Sequence, residues 1–312
     1  MAHLEFVTVD VFTSQQYSGN PLGVVFLPED ASTISQAQKQ TIAREFNLSE
    51  TIFMHSGTGP KRTIDIFTTD SELPFAGHPT IGAASWLLHH STNPQDKAVT
   101  TLITKSGEIP ITRAEKENAV SAKIAHNVRI HQSGFPIKEL LRLIPSLAPT
   151  YMAVENPGDL PIVSIVNGMS QVHVELPCLS ALEQVTTTVG GEMPSNKYLD
   201  KGWELGLVLF YFYVRDVSDK QSGKKVIRTR SIVGNLEDPA TGSAASGLVS
   251  YLTLTSPQGS ETYDYEIVQG VEMGRRSEIG LAVDRGAHGI ERVELGGAAV
   301  KVSEGRIVVP DA

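Results

Sequence analysis

Along the first hundred residues, hydrophobic and polar positions switch repeatedly between a period of about two and one of about 3.6 residues. "LEFVTVDVF" and "LGVVFL" alternate like strands, and the "TSQQYSGNP" between them carries the Ser-Gly-Asn-Pro chemistry of a turn. From Ser35 to Phe46 a helix is predicted, with Ile42, Ala43 and Phe46 on one face. "ETIFMH" and "RTIDIFT" read as strands flanking the Gly-rich turn "SGTGPK". A second helix is expected to open at Pro79, because proline suits the first helical position, where no N–H is needed. His78 would then be its N-cap, a place usually held by Ser, Thr, Asp or Asn.

Residues 107–125 have the pattern of a charged hairpin, and "SGFPIKELLRLIPSLAP" that of an amphipathic helix between turn chemistry and prolines. In the second half "PIVSIVN", "QVHVEL", "LGLVLFYFYV" and "KKVIRTRSI" are strand-like, "LSALEQVTTTV" is helical, and a further helix is expected to start near Ser243. At 312 residues the chain exceeds what one core usually supports, so two domains are expected. The boundary is placed at 128/129, giving domains 1–128 and 129–312, with the extreme C-terminal segment free to return to the first.

Charge and cysteine content narrow the function classes. Lys plus Arg number 26 against 35 Asp plus Glu, a net charge of −9, which offers no basic field for nucleic acid. The start "MAHLEFVTVDVF" lacks the basic and apolar segments of a secretion signal, so a cytoplasmic protein is expected. The most apolar run, Leu205–Val214, is too short to cross a bilayer as a helix. Cys178 is the one cysteine, which rules out an internal disulfide, a thiolate metal cluster and any two-thiol mechanism. Gly57-Thr58-Gly59 has no third glycine at Arg62, "SGKK" lacks the upstream glycine of a phosphate loop, and the histidines show no HExxH spacing. Neither metal nor cofactor is implied.

Two loops repeat. "ELPFAGHPTIGAA" (72–84) and "EDPATGSAASGLV" (237–249) align at a constant shift of 165, matching Glu72 with Glu237, Pro74 with Pro239, Gly77 with Gly242 and Gly82 with Gly247. His78 falls on Ser243, cap on cap. If the halves are duplicates related by a pseudo-two-fold axis, two helix N-termini are expected to face each other across a cleft. Their unsatisfied N–H groups and aligned dipoles would hold a carboxylate, so the ligand is expected to be a small acid.

"VDVFTSQQYSGNPLGVVFLP", "NLSETIFM", "ELPFAGHPTIGAA", "EDPATGSAASGL" and "VQGVEMGRRSEIG" resemble, in order and over nearly the whole chain, the signature segments of the PhzF-like phenazine-biosynthesis family. The resemblance implies the diaminopimelate epimerase-like fold, an α/β (α+β) architecture of two pseudo-symmetric domains, each a mixed sheet wrapped around a central helix. It implies a cofactor-independent isomerase acting by acid/base proton transfer in the cleft between the domains, and a homodimer. It places the general acid/base at Glu50, with His78 and Asp238 also catalytic. Ser243, Gly77 and Gly242 fall where the substrate carboxylate is held, and Gln269 and Arg275 are weaker substrate-binding candidates. Amino-acid racemases of similar fold carry a cysteine in each repeat loop, where this chain has His78 and Ser243. Arg276 stands where the family commonly has proline.

Each residue also has a plainer reading. Glu50 is compatible with a solvated carboxylate at a strand end, Asp238 with an Asx-turn before Pro239, His78 with a tolerated cap, and the arginines with surface charge. For a base working near neutrality, burial against "TIFM" is expected to raise the Glu50 pKa. Two other functions fit the same residues: a racemase using a Glu/His pair, and a protein that only captures a small acid.

Overall fold

Alternate burial of Val7, Val9 and Val11 gives β1 (His3–Val11) the period of a strand, and Leu4 packs on its opposite face in a cluster with Phe6. The computed structural model describes residues 2–152, 157–257 and 261–311. Two units divide it, one taking the chain to Ile124 and again from Glu294, the other holding Ala125–Val293. The division thus falls after residue 124 rather than 128, and the C-terminal residues belong to the first unit.

In the first unit β1 runs antiparallel to β2 (Asn20–Phe26). The helix α1 (Gln36–Phe46) starts at a capping box, in which Ser35 and Gln38 each bond the other's backbone N–H. It ends at Asn47 in the left-handed conformation, φ 50°. That sharp stop leads into β3 (Glu50–Met54), parallel to β2 with Leu22 opposite Glu50. β4 (Lys61–Phe67) and β5 (Glu72–Leu73) follow antiparallel. Then comes α2 (Gly77–Ser85), buried at every residue, which continues as a wider turn through Trp86–His90. β6 (Thr101–Thr104) pairs parallel with β4, and β7 (Gly107–Arg113) and β8 (Ala119–Lys123) extend the sheet. The long C-terminal strand, Gly289–Val308, pairs with β8 and then with β1. β1, β2, β3 and β8 all pack on α2, so a mixed sheet wraps a central helix.

The second unit repeats the plan. It contains β9 (Arg129–Ile130), α3 (Ile137–Leu143), α4 (Ala148–Met152), β10 (Ile162–Val166), β11 (Met169–Glu175) and α5 (Leu179–Glu183). β12 (Leu207–Ser218), β13 (Lys225–Val233), β14 (Leu236–Asp238), α6 (Gly242–Thr255), β15 (Thr262–Gln269) and β16 (Ser277–Gly286) complete it. β11 and β12 are parallel, as are β13 and β15, and the other pairings are antiparallel. α6 packs on β10, β11, β15 and β16. β12 is a continuous apolar run because both its faces are covered: Phe210 and Phe212 enter a core with Phe135, and Tyr211 lies on the other face. α5 is shorter than its sequence pattern suggests. Val185 and Thr186–Thr188 are β-branched and leave the helical path after Glu183.

The duplication is visible in the hydrogen-bond register. At the shift of 165, the pairs Arg62↔Leu102 and Phe67↔Glu72 become Ile227↔Ile267 and Ile232↔Glu237, which are also paired. A Cβ on Gly82 would lie 2.3 Å from Leu22 Cδ2, and one on Gly247 2.5 Å from Gln171 Oε1. Each helix therefore carries glycine at the same point, where a strand side chain crosses it closely. Among the described residues, no helix is long and apolar enough to cross a membrane.

Candidate active site

Both repeat-loop helices begin earlier than their sequences suggest. The N-cap of α2 is Ala76, whose carbonyl accepts from Thr80 N at 3.3 Å and Thr80 Oγ1 at 2.8 Å. His78 is therefore the second helical residue and Pro79 the third, which corrects the expectation of a histidine cap. Similarly, α6 is capped by Thr241, and Ser243 is its second residue rather than its cap. In neither helix does a cap side chain bond the first-turn amides, so the polar-cap signal that locates most helix starts is missing. The repeat survives the correction, since His78 and Ser243 remain matched.

At the start of α2 the N–H groups of Gly77 and His78 have no acceptor within the helix, and Pro79 has no N–H. The adjacent edge of β3 supplies Glu50, whose Oε2 lies 3.0 Å from His78 Nδ1. His78 is 4% exposed and Glu50 19%, so the pair is mostly shielded but the carboxylate keeps one open side. With Nδ1–H donating to Glu50, Nε2 is left buried without a partner among the described residues. Burial raises the Glu50 carboxyl pKa, whereas the charge and hydrogen bond of His78, and a bond from Ser49, lower it. The result lies below the ordinary carboxylate value, contrary to the expectation from burial alone. Ser49 Oγ also lies 3.4 Å from Asn20 Oδ1, so its one proton is shared between that oxygen and Glu50.

In the second unit Asp238 is half-buried, and its Oδ2 accepts from Thr241 Oγ1 at 2.6 Å. Gly242 is buried and Ser243 half-buried at the start of α6. Gln269, expected to touch substrate, is fully buried and its amide is spent inside the fold. Nε2 donates to Asp238 O at 2.7 Å and Thr241 Oγ1 at 3.1 Å, and Oε1 accepts from Thr241 N at 3.2 Å and Tyr211 OH at 2.9 Å. All four of these contacts stay within the fold, on the Asp238 loop and Tyr211. Arg275 is half-buried in the turn after β15, its N–H donating to Gly270 O. Gly270, at φ +73°, presses that turn onto the Asp238 loop: a Cβ there would lie 2.7 Å from Pro239 O and 2.6 Å from Arg275 O. Arg276 pairs bidentately with Asp219 at 2.9 and 3.0 Å, an ion pair that holds the Asp219 carboxyl far below its usual range.

The structure thus brings Glu50, Gly77 and His78 together in one unit, and Asp238, Gly242, Ser243, Gln269 and the Arg275 turn together in the other. Thr241, Tyr211 and Thr229 join the second cluster without having been singled out from the sequence. The Asp-x-x-Thr spacing was the one available signal for Thr241. Other histidines serve the fold: His89 and His90 meet the carbonyls of Ala119 and Ala299. Among the described residues, no cluster of His, Cys, Asp or Glu is arranged to hold a metal ion.

The two helix starts are not chemically equivalent. Leu22 pairs with Glu50, and Gln171, which meets Gly247 as Leu22 meets Gly82, pairs with Leu209. The position matching Glu50 is therefore an aliphatic side chain, 3% exposed.

The profile of the PhzC-PhzF family, phenazine biosynthesis-like protein, matches residues 9–305. A trans-2,3-dihydro-3-hydroxyanthranilate isomerase of Pseudomonas fluorescens is 31% identical over 307 residues, covering 97% of this chain and 99% of its own. A PhzF-family phenazine biosynthesis protein of Bacillus anthracis superposes with a TM-score of 0.74 at 20% identity, over 99% of this chain and 100% of the other. A probable proline racemase of Agrobacterium radiobacter has the same fold, with a TM-score of 0.59 at 12% identity over 98% of this chain and 93% of its own.

Proposed function

Because the chain belongs to the phenazine biosynthesis-like family and is an isomerase, we propose that it moves a proton between carbons of a small unsaturated carboxylic acid, without a cofactor. Glu50 is the group that takes the proton and returns it. In the first half of the step the Glu50 carboxylate forms an O–H bond as a substrate C–H bond breaks, and the electron pair moves into the adjacent π system. In the second half Glu50 gives the same proton to another carbon, and the electron pair closes that C–H bond. Nothing is oxidised or reduced. The negative charge that develops in between is met by the His78 ring and by the N–H groups at the helix starts, a fixed set of donors that needs no reorganisation. Asp238 and Ser243 are assigned to orienting the substrate.

The observation that carries this reading is the shielded Glu50–His78 contact at 3.0 Å, in which a carboxylate ionised at neutral pH keeps one open side. A racemase built on the duplication, with the same acid–base pair in each half, would need a second copy of the Glu50–His78 pair. Leu209 and Ser243, at the positions matching Glu50 and His78, do not supply a second pair. Simple capture of an acid would not need the pair at all.

The test uses trans-2,3-dihydro-3-hydroxyanthranilate, the acid named for the relative of 31% identity. Turnover in deuterated water, followed by NMR, is expected from the native protein. Glu50→Gln is expected to lower kcat by about a hundredfold to ten-thousandfold, the usual worth of a positioned general acid–base. Undiminished turnover by this variant would remove Glu50 from the mechanism.

A further inference from the structure

We propose that Gln269 and Tyr211 are positioning residues for the reaction: a neutral, fully buried brace that sets the direction of the Asp238 carboxylate through Thr241. The proposal rests on the reading that Asp238 orients the substrate. It adds how that carboxylate is aimed, and from which part of the fold.

The orientation of the brace is dictated by atoms with no choice of role. The carbonyl of Asp238 can only accept and the N–H of Thr241 can only donate, so Gln269 must point Nε2 at the first (2.7 Å) and Oε1 at the second (3.2 Å). With the amide fixed, Nε2 also donates to Thr241 Oγ1 at 3.1 Å, which leaves the Thr241 hydroxyl proton for Asp238 Oδ2 at 2.6 Å. The Asp238 backbone and side chain are thereby held by the same amide, one directly and one through a single hydroxyl.

Tyr211 anchors the far end. Its hydroxyl lies 2.9 Å from Gln269 Oε1 and 3.1 Å from Thr229 Oγ1, in a strand interior where burial keeps the phenol protonated. Ladder neighbours place these groups without freedom: Thr229 pairs with Gln269 across β13 and β15, and Ser231 pairs with both Tyr211 and Asp238. Among the described residues, the first unit has no matching set of polar side chains at these positions. Thr104 stands at the position matching Gln269, and Ala76, with no side-chain polar atom, at that matching Thr241. A duplicated loop does not require this network in order to fold, so its presence in one copy only points to a task of that copy.

Three variants and one structure test the proposal, with the same dihydrohydroxyanthranilate as probe. Tyr211→Phe keeps the ring and its packing and is expected to lower kcat roughly tenfold with KM within about twofold. Gln269→Glu replaces the donor to Asp238 O by an oxygen and is expected to cost about a hundredfold, the scale of an ångström misplacement of a reacting group. Asp238→Asn, measured in parallel, reports on the underlying reading: full activity there would retire the role of Asp238 itself. Impaired Asp238→Asn beside native kcat in Tyr211→Phe and Gln269→Glu would overturn the brace and leave the reading intact. A crystal structure of Tyr211→Phe supplies an answer that needs no turnover, because the brace predicts that the 2.6 Å Thr241–Asp238 contact is lost or lengthened. Its persistence unchanged would also overturn the proposal.

Discussion

At the start of α2 the second helical residue is a buried histidine with a glutamate 3.0 Å away, whereas at the start of α6 it is a half-buried serine behind a loop tied by an uncharged amide and two hydroxyls. The backbones beneath are closely alike. Ladder pairs coincide at one shift, and each helix carries a glycine where a strand side chain crosses. Side chains at matched positions are not alike: Glu50 against Leu209, His78 against Ser243, Thr104 against Gln269. Register is hard to change, because a one-residue slip turns every side chain to the other face. A side chain at a helix start can change singly. Duplication has therefore kept the frame and divided the chemistry, with the ionic pair in one copy and the neutral brace in the other.

The division can be broken outright. Leu209→Glu would place a carboxylate where the helix start of the second copy offers Ser243 in place of His78, and a charge brought into that buried setting is expected to cost about 3–5 kcal/mol. Urea denaturation measures this, and a fully stable variant would mean that the two copies are interchangeable at this position.

Smaller effects separate the shared frame. Gly82→Ala drives a methyl toward Leu22 Cδ2 and Val11 Cγ2, at 2.3 and 3.0 Å, and is expected to destabilise by about 1–3 kcal/mol. Gly247→Ala meets first the end of the Gln171 side chain, which can rotate aside, so a lesser loss is expected. Equal shifts of the urea midpoint would contradict the difference in how the two helices are gripped.

The smallest effect sharpens the ionic side of the contrast. With its pKa depressed, Glu50 contributes stability that is complete above its unfolded value of roughly 4.3 and is lost as pH falls through the folded value. In His78→Gln, burial remains and the charge that opposed it is gone, so the carboxyl pKa rises and the ionised form becomes a burden at neutral pH. The stability gap between native and variant protein is expected to open as pH rises through the depressed native value of Glu50 and to close below it, where both carboxyls are protonated. A gap independent of pH would show that the contact holds no ionic energy.

Much of the frame was legible from hydrophobic pattern and turn chemistry, including both repeat loops and the strand before each. His78 and Asp238 stood out because they lie in the repeat loops, and Glu50 through the family resemblance. The helix starts were misplaced by two residues because Ala76 and Thr241 cap without a side-chain bond to the helix, leaving Pro79 and Ser243 as the nearer but false signals. The direction of the Glu50 shift depended on a contact across 28 positions of chain, which no local pattern encodes. Tyr211 sits in a run of aromatic and aliphatic residues indistinguishable from core, and only the ladder with Thr229 and Gln269 gives its hydroxyl a purpose.

The C-terminal strand carries a consequence for synthesis. Residues 299–308 are the partner of β1, so that strand keeps one edge open until the residues from 299 onward have been synthesised. Final closure of the first unit thus waits on translation of the second, which makes the nascent chain most vulnerable to sticking, or to holding by chaperones, through that entire interval.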